Sequence, residues 1–265
     1  MKESKKVFGT QEWASTNANF INGCSNDCKY CYAKSMAIRY KRKTPDNWMI
    51  EEINIKKFMK NYKKKDGPIM FHTTHDITPE NVEPSMAFLG NLLESGNDVL
   101  VVTKPHLDVV EKICDTFAPY KDKILFRFTI GSCDTDTLKF WEPNAPSFEE
   151  RLQSLKLAYE KGFKTSVSSE PLLDTNVVQL ADILLPYVTD AMWIGKPNQL
   201  LSHMKRNGVT DSLSIEKAKE LLASLSDKWI LELYEVYKDN PKIKWKESIK
   251  KVVNIEVPTV KGLDI

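Results

Sequence analysis

Residues 22–32 read NGCSNDCKYCY, so that Cys24, Cys28 and Cys31 follow one another with the spacing C-x3-C-x2-C. These are three of the five cysteines in the chain, and the other two, Cys114 and Cys133, are isolated. A disulfide framework would spread an even number of cysteines through a small secreted chain. Three thiols this close together are instead typical of a metal site.

The spacing also bears on which metal is bound. A structural zinc site takes four ligands, usually from two C-x2-C-like pairs, and no second pair follows here. His72 and His75 could supply a fourth ligand, but they lie far along the chain beyond a charged segment. A [4Fe–4S] cluster held by three cysteines leaves one iron free to bind a small molecule. The motif therefore favours an iron–sulfur cluster, and zinc or a chance grouping of structural cysteines are the alternatives.

Around this motif, apolar strand-like runs alternate with helical patterns, as in βα units around a parallel sheet. The predicted strands are 17–22, 68–73, 98–104, 124–130, 163–168 and 188–194. The predicted helices lie near 31–41, 84–95, 107–118, 147–161, 176–184 and 214–237, with a capping box of Ser147 and Glu150 at the fourth. The fold class is thus α/β with six βα units, which an open six-strand barrel and a doubly wound sheet would both satisfy.

Composition limits the possible classes of protein. The chain has 265 residues, 42% hydrophobic and 28% charged, with 10 Gly and 13 Pro, which indicates a globular protein rather than a disordered or fibrous one. No apolar run approaches the ~20 residues of a membrane span, and residues 1–6 do not resemble a secretory signal. We therefore expect a cytoplasmic protein with no membrane partner.

Charge is distributed unevenly along the chain. The formal net charge is +2, but residues 1–66 contain 15 Lys and Arg against 7 Asp and Glu. A basic surface of this kind can bind a polyanion such as a nucleic acid, or it can simply be a solvated face. We divide the chain into a core of residues 1–240 and a basic extension of residues 241–265, expected to pack on the core and to add an edge strand.

The C-x3-C-x-Tyr-C arrangement after the first predicted strand resembles the motif of the radical S-adenosylmethionine (radical SAM) enzymes. That resemblance implies a partial (β/α)6 TIM-like barrel and a [4Fe–4S] cluster held by Cys24, Cys28 and Cys31, with S-adenosylmethionine on the fourth iron. It also implies a one-electron donor such as flavodoxin or ferredoxin. Reduction would cleave S-adenosylmethionine to a 5′-deoxyadenosyl radical that abstracts hydrogen from a substrate, the chemistry being that of the cofactor.

Within the superfamily, residues 101–104, 126–130 and 142–152 resemble the spore photoproduct lyase-like branch. The resemblance implies that Lys104 contacts the cofactor carboxylate and that Thr129 meets the adenosyl ribose. One position departs from the pattern, because the hydrogen-donor cysteine of the lyase falls at Thr73, whose O–H bond is too strong for that role. Thymine-dimer repair is therefore in doubt, and Cys133, after the fourth strand, is a geometric substitute or else an incidental thiol.

Further candidates lie at predicted strand ends, where barrel enzymes place their sites. We expect Thr74 to hydrogen-bond the methionine part of the cofactor and Tyr30 to pack on its adenine or on the cluster. Glu170 is a candidate for binding the ribose hydroxyls or the substrate. His75 and Asp76 are candidates for moving protons or binding substrate. Ordinary loop and strand-end positions are the alternative for each of these residues.

Three other reactive side chains are expected to have ordinary roles. Cys114 follows helical spacing and is predicted to lie in the core, whereas His106 and His203 are predicted to be surface or cap residues. The substrate stays open between a nucleic-acid base or nucleotide, a small metabolite and a peptide. From a different class, a non-catalytic zinc-dependent nucleic-acid-binding protein would retain the cysteines and the basic segment but would not explain the six βα units.

Overall fold

The computed structural model describes residues 6–263 and shows an α/β fold built on a seven-stranded parallel sheet. Its strands are β1 Thr16–Ala18, β4 Ile69–Phe71, β5 Val99–Thr103, β6 Ile124–Thr129, β7 Lys164–Ser169, β8 Met192–Ile194 and β9 Ile243–Trp245. They lie side by side in the order β1–β4–β5–β6–β7–β8–β9. A separate antiparallel pair consists of β2, Ile21–Asn22, and β3, Glu52–Ile53.

Helices connect the strands in the manner of βα units. They are α1 Tyr32–Arg39, α2 Ile55–Phe58, α3 Val82–Glu94, α4 Leu107–Thr116, α5 Thr135–Trp141, α6 Phe148–Glu160, α7 Val177–Leu184, α8 Leu200–Arg206, α9 Ser212–Ser224, α10 Asp227–Tyr237 and α11 Glu247–Lys250. Apart from α1, whose buried alanines pack with Cys24 and Trp48 in a separate cluster, these helices pack apolar side chains against one face of the sheet in a large common core. Such a layer of helices is what parallel strands require, because their crossovers place a helix against the sheet.

The other face of the sheet encloses a smaller apolar cluster. Met70, Leu100 and Trp193 come from three strands, and Trp13 packs against them from the N-terminal segment. Met70 and Leu100 are directly paired in register, so they present the same face of the sheet. Filling of the inner face by side chains is typical of a small barrel.

The order of the strands separates the two architectures that the sequence left open. Neighbours in the sheet follow chain order without a reversal, whereas a doubly wound sheet reverses at a switch point. The predicted partial barrel is therefore confirmed. β9 extends it beyond β8, and β1 and β9 are the two edges of the sheet within residues 6–263.

Several predicted boundaries are wrong for identifiable reasons. The predicted strand 17–22 is interrupted at Asn19, whose side-chain oxygen accepts a hydrogen bond from Thr73 N at 2.7 Å, and the chain then turns to pair with β3. The predicted helix 214–237 is two helices, because Ser226 caps a new one through Trp229 N. Helices α5 and α8 were not predicted.

The predicted capping box is half formed. Ser147 Oγ accepts from Glu150 N at 3.3 Å, as expected. The Glu150 carboxylate, however, accepts from Leu107 N at 3.2 Å and lies 3.4 Å from His106 Nδ1. Glu150 therefore caps the neighbouring helix α4 as well, and His106 is a cap residue, as predicted.

Candidate active site

A cavity of about 480 Å³ opens at the carboxyl ends of the parallel strands. Its lining comes from residues 23–31, which we call the cysteine loop, and from the segment after β4. The ends of β5, β6 and β7 and the segment after β8 also contribute. In barrel enzymes this end of the sheet carries the site, because the loops that follow several strands converge there. The candidate residues in the lining are Cys24, Cys28, Tyr30, Cys31, Thr74, His75, Asp76, Lys104, Thr129 and Glu170.

The cysteine loop is fixed by the segment that precedes α2. Cys24 N donates to Trp48 O at 3.1 Å, and Trp48 packs with Cys24 in a small apolar cluster. Gly23 has a φ of +108°, and a Cβ there would lie 2.4 Å from Ile50 O. Only glycine therefore allows the loop to approach this segment so closely.

The far end of the loop is fixed by helices α1 and α8. Cys31 is the N-cap of α1, and its Sγ accepts from Lys34 N at 3.3 Å. The Asn207 amide, just after α8, donates to Lys29 O at 3.1 Å and to Cys31 O at 3.0 Å. Residues distant in sequence thus set the backbone that carries the third thiol.

The three thiols are free, and burial raises the pKa of each above its usual value. A single tetrahedral zinc ion with Zn–S bonds of about 2.3 Å would draw its sulfurs to about 4 Å from one another. Within residues 6–263, the group of ligand atoms that all lie within 4.8 Å is that of His106, Asp108 and Glu150, and not that of the cysteines. The three thiols suit a larger iron–sulfur cluster better than a single ion.

The group of His106, Asp108 and Glu150 lies at the N-terminus of α4, where its carboxylates cap backbone N–H groups. The positive end of the helix dipole disfavours a cation at such a place. The group is therefore a helix cap.

Lys104 is one of the cations that line the cavity, and its side chain is only 11% exposed. Its Nζ lies 3.5 Å from Asp76 Oδ2 and 4.0 Å from Glu142 Oε1. Burial alone would lower the pKa of this ammonium, but its acidic neighbours, Asp76 first among them, hold it well above its ordinary value. Lys104 is therefore charged and held in one place, as recognition of a carboxylate requires.

The Asp76 carboxylate accepts several hydrogen bonds within the protein. It accepts from Asn26 Nδ2 at 2.9 Å, from Thr103 Oγ1 at 3.0 Å and from Lys104 N at 2.8 Å. Burial would raise the pKa of Asp76, but the Lys104 ammonium and these donors hold it well below its usual range. This geometry favours the positioning of Lys104 over proton transfer as the role of Asp76.

Tyr30 belongs to a network that sequence reasoning missed. Its hydroxyl donates to Glu142, which also receives a 2.5 Å hydrogen bond from Arg151 Nη2. Arg151 Nη1 in turn donates to Thr129 O at 3.1 Å. Glu142 and Arg151 are buried, so the network fixes the cysteine loop to β6. The clue in the sequence was a Glu and an Arg at the ends of a segment rich in proline.

The wall formed by residues 72–76 contains polar atoms without partners. Within residues 6–263, no hydrogen bond reaches Thr74 Oγ1, His75 Nε2 or either ring nitrogen of His72, although all four atoms are buried. The two imidazole rings stack with centroids 4.1 Å apart. Burial lowers the pKa of His72 to about 4, and burial together with His72 lowers that of His75 well below its usual value. Unpartnered buried polar atoms are rare and indicate a place for a ligand.

Glu170 lines the opposite wall, at the end of β7. Burial raises its pKa, while Lys246, whose Nζ lies 3.4 Å away, opposes that shift. Lys246 is itself fully buried and also pairs with Glu12 at 2.9 Å.

The remaining candidates lie in different places. Cys133, proposed as a hydrogen donor, is not brought into the cavity; it precedes α5 and packs against the large core. Cys114 is in the core, as predicted. His203 is not the ordinary surface residue that we predicted: it lines the cavity, and its Nδ1 lies 3.0 Å from Ser35 Oγ. Its position on α8 gave no signal in the sequence.

An open parallel barrel with three free thiols and a fixed lysine at its carboxyl rim is the scaffold of a cofactor-dependent enzyme. The chain belongs to the radical SAM superfamily, which its sequence matches over residues 18–182. Enzymes of this family use S-adenosylmethionine with an iron–sulfur cluster and need an electron donor. The family match and the strand order argue against a non-catalytic zinc-binding module, which would not explain the βα units. No helix within residues 6–263 is long and apolar enough to cross a membrane.

Two curated relatives match part of the chain. Uncharacterized protein ORF301 of Acidianus two-tailed virus is 27% identical over 173 residues, which is 61% of this chain and 57% of the relative. Uncharacterized protein MJ0683 of Methanocaldococcus jannaschii is 28% identical over 154 residues, or 57% of this chain and 58% of the relative. The match thus covers less than two thirds of either relative.

Solved structures show the same fold. A variant of spore photoproduct lyase with a dinucleoside spore photoproduct aligns with a TM-score of 0.57 and 15% identity, covering 92% of this chain and 79% of the lyase. Streptococcus suis SuiB bound to S-adenosylmethionine aligns with a TM-score of 0.53 and 11% identity, covering 94% of this chain and 55% of SuiB. At these identities the similarity is one of fold.

Proposed function

We propose that this protein binds a [4Fe–4S] cluster through Cys24, Cys28 and Cys31 and cleaves S-adenosylmethionine reductively to begin a radical reaction on an organic substrate. The observation that carries the proposal is the placement of three free thiols and the Lys104 ammonium around one cavity at the carboxyl rim of the barrel. When bound, the cluster supplies the electron that breaks a carbon–sulfur bond of S-adenosylmethionine and yields methionine and a 5′-deoxyadenosyl radical.

The residues of the chain bind and orient the cofactor. Lys104, fixed by Asp76, provides the cation for the methionine carboxylate. Thr74 Oγ1, buried and without a partner among residues 6–263, provides a hydrogen-bonding group on the neighbouring wall. Thr129, at the end of β6, and Glu170, directly after β7, line the same cavity, which supports a role for them in binding the ribose hydroxyls. Tyr30 holds the loop through Glu142 and offers its ring to the adenine.

Iron content and a cleavage assay test the proposal. We expect anaerobic reconstitution with iron and sulfide to give a brown protein that forms 5′-deoxyadenosine with dithionite and S-adenosylmethionine. Cys24→Ala, Cys28→Ala and Cys31→Ala should each lose the iron and the product. Cys114→Ala, on α4 and outside the cavity, is the matched control and should retain both. Stoichiometric zinc without iron, or wild-type protein without product, would contradict the proposal.

A nucleic-acid base or nucleotide is the substrate class that we propose next, supported by the lyase-like fold. Chemistry on a paired base requires that the base leave the stack, with cationic side chains on the backbone. We therefore expect binding of a single-stranded oligonucleotide to weaken steeply as salt is raised from 50 to 200 mM. Absent or salt-independent binding would leave a peptide or a small metabolite as the substrate.

A further inference from the structure

Residues 39–60, which we call the basic lobe, follow α1 and contain β3 and α2. Six large apolar side chains of this lobe are exposed to solvent: Tyr40, Met49, Ile50, Ile53, Ile55 and Met59. Ile55 is 64% exposed and Met59 is 73% exposed, so neither contributes much to the core. A concentration of exposed apolar groups on a soluble protein is typical of an interaction surface.

The charged side chains of the same lobe are mostly basic. Its exposed cations are Arg39, Lys41, Arg42, Lys56, Lys57 and Lys60, and its exposed anions are Asp46 and Glu52. Exposed apolar groups that alternate along the chain with mostly basic side chains are typical of a protein–protein interface with a charged rim. A partner with complementary charge would be acidic.

The lobe is in direct contact with the cysteine loop. Trp48 is buried against Cys24, and its carbonyl accepts the Cys24 N–H at 3.1 Å. Ser25 N donates to Glu51 Oε1 at 3.0 Å. The exposed residues Met49 and Ile50 follow Trp48 directly, so the surface of the lobe is close to Cys24.

We propose that the basic lobe is the docking surface for a small acidic one-electron carrier protein of the flavodoxin or ferredoxin class. This inference rests on the proposed function, because a carrier is needed only if the thiols hold a redox centre. In the transfer, the reduced carrier loses one electron and the centre held by the cysteines gains it; no bond forms or breaks, and no proton moves. Electron transfer slows steeply with distance, which makes a surface beside Cys24 well suited to the task.

The side chains at the centre of the lobe favour a protein over a nucleic acid. Single-stranded nucleic acids bind to surfaces that combine cations with aromatic side chains, on which bases stack. Five of the six exposed apolar residues of the lobe are aliphatic isoleucines and methionines. Lys63, Lys64 and Lys65, which add to the basic charge of the N-terminal segment, precede β4 and lie towards the opposite end of the sheet from the cavity.

Charge reversal on the lobe tests the proposal. The variant Lys41→Glu/Arg42→Glu/Lys56→Glu reverses three exposed charges, and the control Lys121→Glu/Lys164→Glu/Lys219→Glu makes the same change elsewhere. The dissociation constant of a flavodoxin, and separately of a ferredoxin, is measured with cluster-free and reconstituted protein at low and moderate salt. We expect the lobe variant to bind its carrier about tenfold more weakly at low salt and the control to bind like the wild type.

Activity supplies a second readout. The lobe variant should form 5′-deoxyadenosine at the wild-type rate with dithionite and more slowly with the reduced carrier. Ile55→Asp/Met59→Asp, at two highly exposed positions, should weaken carrier binding in the same way without loss of folding. The docking proposal is wrong if neither carrier binds the wild type, or if the lobe variant and the control variant bind the carrier equally well. It is also wrong if the lobe variant loses oligonucleotide binding and retains carrier binding. Wild-type protein inactive with dithionite contradicts the proposed function instead, and the measurements on cluster-free protein still test docking.

Discussion

The inner face of the sheet has two buried polar regions that differ in how their groups are satisfied. In the interior, Arg127 donates to Ser166 Oγ at 2.9 Å and to Asp190 Oδ2 at 3.0 Å, and its guanidinium lies 4.7 Å from the Trp13 ring. At the rim, buried atoms of His72, Thr74 and His75 have no hydrogen-bond partner among residues 6–263. The guanidinium of the interior is paired within the described part of the protein, whereas these atoms of the rim are not.

The difference shows where the molecule is optimised for stability and where for binding. A buried polar group without a partner costs about 1–3 kcal/mol, so the rim lowers the stability of the cofactor-free protein. Such a cost is expected where a ligand later supplies the missing hydrogen bonds. Substitutions in the interior should therefore change stability, and substitutions at the rim should change binding.

The largest effect is expected in the interior. Arg127→Met would leave Asp190 without its cation and would remove the contact of the guanidinium with Trp13. We expect the free energy of unfolding to fall by about 3–5 kcal/mol, because two hydrogen bonds of a charged donor, each worth about 1.5–3 kcal/mol, are lost. Urea denaturation measures this change, with the exposed Lys164→Met as control. A variant as stable as the wild type would show that the interior does not depend on its paired charges.

The next largest effect is a loss of protein stability at low pH, caused by the buried His72 at the rim. His72 has a pKa of about 4 in the folded protein and an ordinary, higher pKa when unfolded, so the unfolded state binds the proton first as the pH falls. Stability should be complete above the unfolded pKa of about 6.5 and should decline between there and pH 4, by about 3 kcal/mol from this residue. His72→Phe should be less sensitive to acid in urea titrations at pH 7 and pH 4.5. Equal pH dependence of the two proteins would contradict the burial of a neutral His72.

A third substitution separates binding from folding. Lys104→Met should weaken S-adenosylmethionine binding to the reconstituted protein by about 2 kcal/mol, or about 30-fold, because one charge-assisted hydrogen bond is lost. It would also leave Asp76 buried without its cation. The double variant Lys104→Met/Asp76→Asn should recover stability but not affinity, as measured by calorimetry and denaturation. Recovery of both would mean that Lys104 only supports the fold.

The smallest effect is expected for Thr74, and it tests the comparison of interior and rim most directly. Thr74→Val replaces the unpartnered hydroxyl by a methyl group of similar shape. Cofactor-free protein should become more stable by about 1 kcal/mol, while S-adenosylmethionine binding weakens by about the same amount. Ser224→Ala on α9, where the hydroxyl bonds Leu221 O, is the control and should not alter affinity. A loss of stability in Thr74→Val would show that this hydroxyl makes a stabilising hydrogen bond within the protein, as Arg127 does.

The sequence predicts the parts of the molecule that depend on patterns of neighbouring residues. The cysteine spacing indicated that three thiols share one loop after the first strand, and these thiols line one cavity; the alternation of strands and helices predicted the parallel sheet. Lys104 and Glu170 were found because each directly follows a strand, where the rim must lie. These inferences required only neighbouring residues.

What could not be predicted depends on contacts between distant segments. Asn19 ends β1 because its amide binds the backbone of Thr73, which the sequence around Asn19 does not show. Glu142 becomes important only when folding brings it to Tyr30 and Arg151. His203 reaches the cavity because α8 packs against α1. Each is a consequence of tertiary structure, for which a short window of sequence has no signal.

Lys246 lies just after β9 and donates to Gly9 O at 3.0 Å, besides pairing with Glu12 and Glu170. A chain ending at residue 240 would lack this ammonium and would leave β8 as an unprotected edge. The buried Glu12 and the half-buried Glu170, which lines the cavity, would then lose their counter-charge. Shortening the C-terminus should therefore damage the far wall of the pocket as well as the sheet, so this segment is to be kept whole in any attempt to trim the protein for crystallisation.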